Sequence, residues 1–352
     1  MSDLNTSAPR YRRLLTRKLP AIAAALIAAL LIAVWVRLAA QPAQQPEKLV
    51  IAISWHPAFA LIHIADERGY FKDENLQVEL RSYELGRDAL NSVIEGKADL
   101  ATVFETPVVQ RIYQGTALGI ISTLHTSSRS QVLIARRDRG ITDLADIKGK
   151  RIGVTPGSSM EYFIHVLLTS EGIATSSVTV VPVEPINYVA AIASGEVDAV
   201  VVFGPYLQAA QEKIGKDKLS VFYSSLFLET SMLAGMRDNV LARKQAMTRL
   251  LKAILRAQEF TKTDPEESLR ILVRRLADRH TEAGVRQSWE NYNLDVDLDN
   301  LLLTLLTQEA RWFRDKGLFN SAVPDFTDFI VTDYLHSLKP GAVTLHKHSR
   351  RQ

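Results

Sequence analysis

Three carboxylates, Glu105, Glu184 and Glu229, stand in short polar stretches that follow or border apolar runs, against a single facing cation, Arg129. Acids so placed could move protons or accept hydrogen bonds from an amine or amide, or else face solvent. A second polar group is "TPGSSM" (155–160), where Gly157, Ser158 and Ser159 sit between an apolar strand and a helical pattern. A helix start leaves unpaired N–H groups that can hold a ligand's acceptor, although one serine cap would satisfy some of them. Aromatic side chains accompany these polar groups: Trp55 beside His56, Phe104 before Glu105 and Thr106, Phe203 before Gly204 and Tyr206. Ser127 and Ser128, on the segment that carries Arg129, and Asn187 in "VEPINY" (183–188) complete the candidate binding set.

Catalytic chemistry lacks its usual carriers. The chain has no cysteine, and it contains no G-x-S-x-G, no H-E-x-x-H and no Walker lysine pattern. "LDVDLDN" (294–300) begins like a calcium loop, but Asn300 replaces the required glycine and Leu306 the bidentate glutamate, so Asp299 reads as a helix cap. His63 and His165 have no ligand-type spacing and read as packed side chains; "HKH" (346–348) lies in a polar tail. The expectation is a protein that binds without a cofactor or metal and is not an enzyme.

The elements that must position these residues recur. "EGKADLATVFETP" (95–107) and "SGEVDAVVVFGP" (194–205) each place Asp three residues after a helix-ending glycine and Phe eight residues after it. "KLVIAI" (48–53) corresponds to "KRIGVT" (150–155), and Gly69 and Gly172 follow at similar distances. Apolar strands alternating with helices predict two similar α/β lobes built on parallel sheets, with ligand at the carboxyl ends of the strands. Two crossings, 120–138 and 221–235, would join the lobes. Met247, Leu250, Leu251, Ile254 and Leu255 form the stripe of a packed helix, and "TDPEES" (263–268) reads as a helix start. The expected layout is 48–127 with 229–340 as lobe 1, 128–228 as lobe 2, and 341–352 as a polar tail.

Length and charge set the compartment. The 352 residues, 47% hydrophobic and 23% charged, suit about two folded domains. Residues 1–18 are basic, and 19–36 run uncharged for ~27 Å as a helix, enough to cross a bilayer core. Five cations before the run against Arg37 after it direct the body outward. A cut after Ala40 would put Leu38 where a small residue is preferred, so a retained anchor over 19–40, followed by a 41–47 linker, is expected. Beyond residue 40 the chain carries 36 of its 42 Lys/Arg and 38 of its 39 Asp/Glu, a net −2 despite the overall +3. That removes the electrostatic basis for nucleic-acid binding.

"IADERGYFKDENLQVEL" (64–80), "EGKADLA" (95–101), "ITDLADIKGKRIGVTPGSSMEYF" (141–163) and "ASGEVDAVV" (193–201) together resemble the nitrate/sulfonate/taurine and thiamine-pyrimidine group of ABC-transporter substrate-binding proteins. The resemblance implies a two-lobed type II periplasmic binding protein fold with a two-strand hinge, here preceded by one N-terminal transmembrane helix. It implies a monomer held at the inner membrane with its C-terminal domain in the periplasm. There it would capture a small organic solute and deliver it to an ABC permease. A sensory module of a membrane signalling system is the alternative, ahead of a pyrimidine-synthase-like enzyme, whose relatives rely on a cysteine-rich motif absent here. Gly204 departs from the acidic residue many members carry before the proline.

Overall fold

The computed structural model describes residues 45–345. The expected basic segment and membrane anchor, most of the linker and the histidine-bearing tail lie outside the described residues. Among the described residues no helix is long and apolar enough to cross a membrane.

Among the described residues ten strands form two five-stranded sheets. The first contains β1 (Glu47–Ser54), β2 (Leu76–Tyr83), β3 (Leu100–Phe104), β4 (Leu118–Ser127) and β10 (Glu229–Met236), in the order β2-β1-β3-β10-β4. The second contains β5 (Gln131–Arg136), β6 (Arg151–Val154), β7 (Thr179–Pro182), β8 (Ala199–Phe203) and β9 (Leu219–Phe222), in the order β7-β6-β8-β5-β9. Helices α1 (Ala60–Glu67), α2 (Tyr70–Asp73), α3 (Gly86–Ile94) and α4 (Glu105–Tyr113) lie between strands of the first sheet. Helices α5 (Ser159–Ser170), α6 (Tyr188–Ser194) and α7 (Gly204–Ile214) do so in the second. The chain then ends in α8 (Arg237–Ala242), α9 (Lys244–Thr263), α10 (Pro265–Leu276), α11 (Glu282–Trp289), α12 (Asn300–Asp315) and α13 (Asp333–Leu338).

The repeated Gly-x-x-Asp has the same physical job in both halves. Gly96 and Gly195 adopt the left-handed conformation, with φ of +70° and +81°, that ends a helix. Three residues on, the Asp99 carboxylate accepts from the amide of Val50 at 2.7 Å, and its own amide donates to the Val50 carbonyl at 2.8 Å. Asp198 repeats this on Arg151 at 2.9 Å for both bonds. An arginine closes each carboxylate, Arg243 at 2.8 Å on Asp99 and Arg151 at 2.9 Å on Asp198. The side-chain bond from Arg151 holds the Asp198 carboxyl below its ordinary range. Each aspartate therefore pins the central strand of its sheet to the parallel strand beside it, β3 to β1 and β8 to β6.

Each sheet has its own apolar core. Every residue of β8 is buried, as is β3 up to Phe104, which fits strands covered on both faces. The sheets are nonetheless mixed rather than parallel. β10 runs antiparallel to β3 and β4, and β5 runs antiparallel to β8 and β9. Both enter from the opposite half, β5 just after the crossing from β4 and β10 just after the return from β9, so each must run against the strands already there. Helix α9 buries Met247, Leu250, Leu251 and Ile254 in the first core, with Leu255 half-buried. Asp264 and Asp299 cap α10 and α12, accepting from Glu267 at 3.2 Å and from Leu301 at 2.9 Å.

Candidate functional site

A cavity of about 40 Å³ lies between the two halves. One wall is Ser54 at the end of β1, His56, the segment Glu84–Arg87 after β2, and Phe104 and Pro107 after β3. The facing wall is Gln131 at the start of β5, Ser158–Met160 after β6, and Phe203 at the end of β8. This volume holds only ~3 waters, so the two walls stand close together.

The polar groups of the walls are individually oriented. His56 accepts from the Ala58 amide through Nδ1 at 3.1 Å, which places its hydrogen on Nε2. Burial, with His125 and His280 nearby, pushes its pKa well below the ordinary value, so the ring is neutral near pH 7. That ring lies 4.3 Å from Phe203, tilted against it, and 4.9 Å from Phe104, edge to face, joining the two walls by aromatic contact. Ser158 caps α5, accepting from the Met160 amide and donating to the Thr155 carbonyl at 2.7 Å. Gly157, at φ +66°, donates its amide to Glu161 at 2.9 Å. The amides of Ser158 and Ser159 keep no hydrogen-bond partner among the described residues, leaving two donors at the cavity wall.

Charges at the rim neutralise one another. Arg87 reaches across to Glu184 at 3.4 Å and donates to the Pro156 carbonyl, tying the two walls together. Glu84 pairs with Arg279 at 2.7 Å. Next to the cavity, on elements of the first half, lies a buried acidic cluster: Glu105 and Glu229 are 1% exposed and Glu309 2%. Gln131 Nε2 donates to Ser159 Oγ at 2.6 Å and to Glu229, which also accepts from Ser130. Glu105 accepts the Thr230 amide, and Thr106 Oγ donates to Glu309 at 2.6 Å. Burial raises the Glu105 carboxyl, with Glu309 and Glu229 adding to it, and burial raises Glu309 to about 8.

Of the residues expected from sequence, His56, Phe104, Ser158, Ser159 and Phe203 meet at this cavity. The others are placed elsewhere. Trp55 turns its carbonyl to His280 at 2.9 Å, and the Arg279 guanidinium lies 5.8 Å from its ring. Tyr206 stands behind Phe203 at 4.9 Å, where burial pushes its hydroxyl up to about 12. Glu105, Thr106 and Glu229 belong to the buried cluster, and Gly157 is taken by Glu161. Gly204 packs against Ser288, and Asn187 is exposed. Ser127 and Ser128 line a separate shallow groove with Asn291 and Tyr292. Arg129 stacks 4.7 Å over Tyr223 instead of opposing the acids.

Ser54, Glu84–Arg87, Pro107, Gln131 and Met160 were missed. "ELGR" (84–87) follows the carboxyl end of β2, so the strand-end rule applied to that strand finds it. Gln131 escapes the rule because β5 is antiparallel, which brings its amino end to the side where parallel strands finish.

Residues 56–268, more than half the chain, match the family model described as NMT1/THI5 like. A Brucella abortus protein named as a binding protein is 25% identical over 281 residues, 77% of this chain and 86% of that one. The 4-amino-5-hydroxymethyl-2-methylpyrimidine phosphate synthase of Aspergillus parasiticus is 30% identical over 159 residues, covering 44% of this chain and 45% of the synthase. The alkanesulfonate-binding protein SsuA of Xanthomonas axonopodis pv. citri, solved with MOPS bound, superposes with a TM-score of 0.72 at 18% identity, over 82% of this chain and 100% of that one. The fold is that of the periplasmic binding proteins, and the family match makes this chain a member of the NMT1/THI5-like family.

Proposed function

We propose that the protein is a membrane-tethered, extracytoplasmic solute-binding protein that delivers a small sulfonate-, taurine-, nitrate- or pyrimidine-like solute to an ABC importer. The observation that carries this reading is the cavity whose walls come from both of two separately cored halves. A solute that touches both walls favours the shut arrangement over an open one by its differential contacts. The short segments 128–130 and 223–228, between the crossing strands, are where the backbone would bend. The binding-protein relative and the alkanesulfonate-binding fold neighbour support this reading.

Energetics assign the roles. Micromolar affinity needs ~8 kcal/mol, whereas a helix N-terminus contributes ~0.3–1 kcal/mol. Burial against His56, Phe104, Phe203 and Met160 must supply most of the remainder. The test is a thermal-shift screen of the full-length protein in detergent with sulfonates, nitrate, aminopyrimidines and amides. A solute at a hundred times its dissociation constant adds ~2.7 kcal/mol of stability. A melting temperature unmoved by a broad panel, with an unchanged scattering profile, would refute the reading.

A further inference from the structure

A second cavity, of about 600 Å³, lies between α5 of the second half and α12 of the first, with Leu226 of the return crossing also in its wall. It shares no lining residue with the cleft. Sites for small organic ligands measure ~300–1,000 Å³, so this one is already large enough. Tyr162, His165 and Val166 line it from α5 and Trp312 from α12. The Trp312 ring lies 5.2 Å from Tyr162 and 5.7 Å from His165, so aromatic contact joins the two helices within the wall. Leu226, 71% exposed, extends that apolar surface.

The charge of this cavity is positive. Among the described residues Arg311 makes no ion pair or hydrogen bond, and Lys316 lies 4.6 Å over the Trp312 ring. Asp315, the one acid of the described lining, is held by Arg314 at 3.1 Å. Glu309, buried on the inward side of the same helix, keeps its proton up to about 8 and adds no charge at neutral pH. Burial, with Lys316 nearby, lowers the His165 pKa and leaves that ring neutral. Arginines of the neighbouring terminal helices are engaged: Arg270, Arg274, Arg275 and Arg286 each pair with a carboxylate. Arg311 is thus a cation without a counter-ion beside apolar surface. The Tyr162 hydroxyl and the Gln308 amide, also without a hydrogen-bond partner among the described residues, stand as neutral donors in the same lining.

We infer that this cavity is a second ligand site, separate from the cleft, for an amphipathic anion: an apolar ring system against Tyr162, Val166 and Leu226, with one acidic group on Arg311. Apolar burial supplies most of the affinity, and the guanidinium selects the sign of the charge. The assignment does not rest on the solute-binding reading, since it uses none of the cleft residues.

The experiment titrates the full-length protein in detergent by calorimetry, with detergent alone as the blank, using 1-naphthoate, 1-naphthylmethylamine and acetate. Naphthoate is expected to bind; the amine, of matched shape and opposite charge, and acetate, which lacks the ring system, are not. Arg311→Glu, at an exposed position, should fold normally, weaken naphthoate roughly tenfold and bring in the amine. Phe203→Ala, in the cleft, should leave naphthoate binding unchanged. Naphthoate binding lost in Phe203→Ala and kept in Arg311→Glu would place the ligand in the cleft and overturn the inference. Equal binding of acid and amine would overturn the charge selection, and no heat from naphthoate would overturn the site, with solute capture in the cleft untouched by either result.

Discussion

A methyl group on Gly204, at the start of α7, would overlap the Cβ of Ser288 on α11. Next to it, a Cβ on Gly284 would lie 3.1 Å from Pro205 backbone atoms. The two helices belong to different halves and meet backbone to backbone, which explains why the position before Pro205 carries no acid. Gly204→Ala is expected to cost about 1–3 kcal/mol through overpacking and to lower the melting temperature by several degrees. Ser288→Gly added to it should restore most of the loss. A double-mutant cycle with no coupling would refute the contact.

Arg87 ties the two walls through Glu184 and the Pro156 carbonyl, both at partly exposed positions. Such a pair is worth about 0–1 kcal/mol. Arg87→Ala should therefore weaken solute binding by less than about fivefold, enlarge the radius of gyration without ligand, and leave the melting temperature nearly unchanged. A hundredfold loss of affinity would mean that Arg87 contacts the solute directly.

Trp55 lies outside the cavity, held by Arg279 and His280. Trp55→Ala should lower stability and leave ligand-induced stabilisation at its original size. Loss of that stabilisation in a folded Trp55→Ala protein would return the tryptophan to the site.

Much of the architecture was legible because it is written in local patterns. The spacing of Gly96 with Asp99 and of Gly195 with Asp198 marks one recurring device, a left-handed helix end followed by a carboxylate that pins two strands. The apolar runs of β3 and β8 likewise announce strands buried on both faces. The site was legible only where it follows parallel strands, which gave His56, Phe104, Ser158, Ser159 and Phe203. Residues on the antiparallel crossing strands were harder to place. No local pattern says that Glu229 is buried behind Gln131, because their pairing depends on which strand of which sheet receives each crossing. Ser127 and Arg129 fall short of the site for the same reason: the cavity wall begins past the crossing, at Gln131.

The buried acids and histidines set opposing pH dependences. Glu309 keeps its proton up to about 8 in the folded state, and Glu105 is raised as well, while unfolded glutamates lose theirs near 4.5. Between these values the folded state binds more protons, so this contribution to stability declines as pH rises. Burial lowers His63 to about 3 and His280 to about 4, and lowers His56 also, from the ordinary 6.5. Their contribution is complete above 6.5 and is lost as pH falls toward those values. The two effects oppose each other from 4.5 to 6.5, and only the acids act above that. The melting temperature should therefore fall from pH 6.5 to 8. Glu309→Gln retains an acceptor for Thr106 Oγ and should flatten that limb. His63→Leu removes a ring whose two nitrogens have no partner and should soften the loss on the acid side. A melting temperature constant from pH 6.5 to 8, or an unchanged slope in Glu309→Gln, would show that the cluster does not hold its protons.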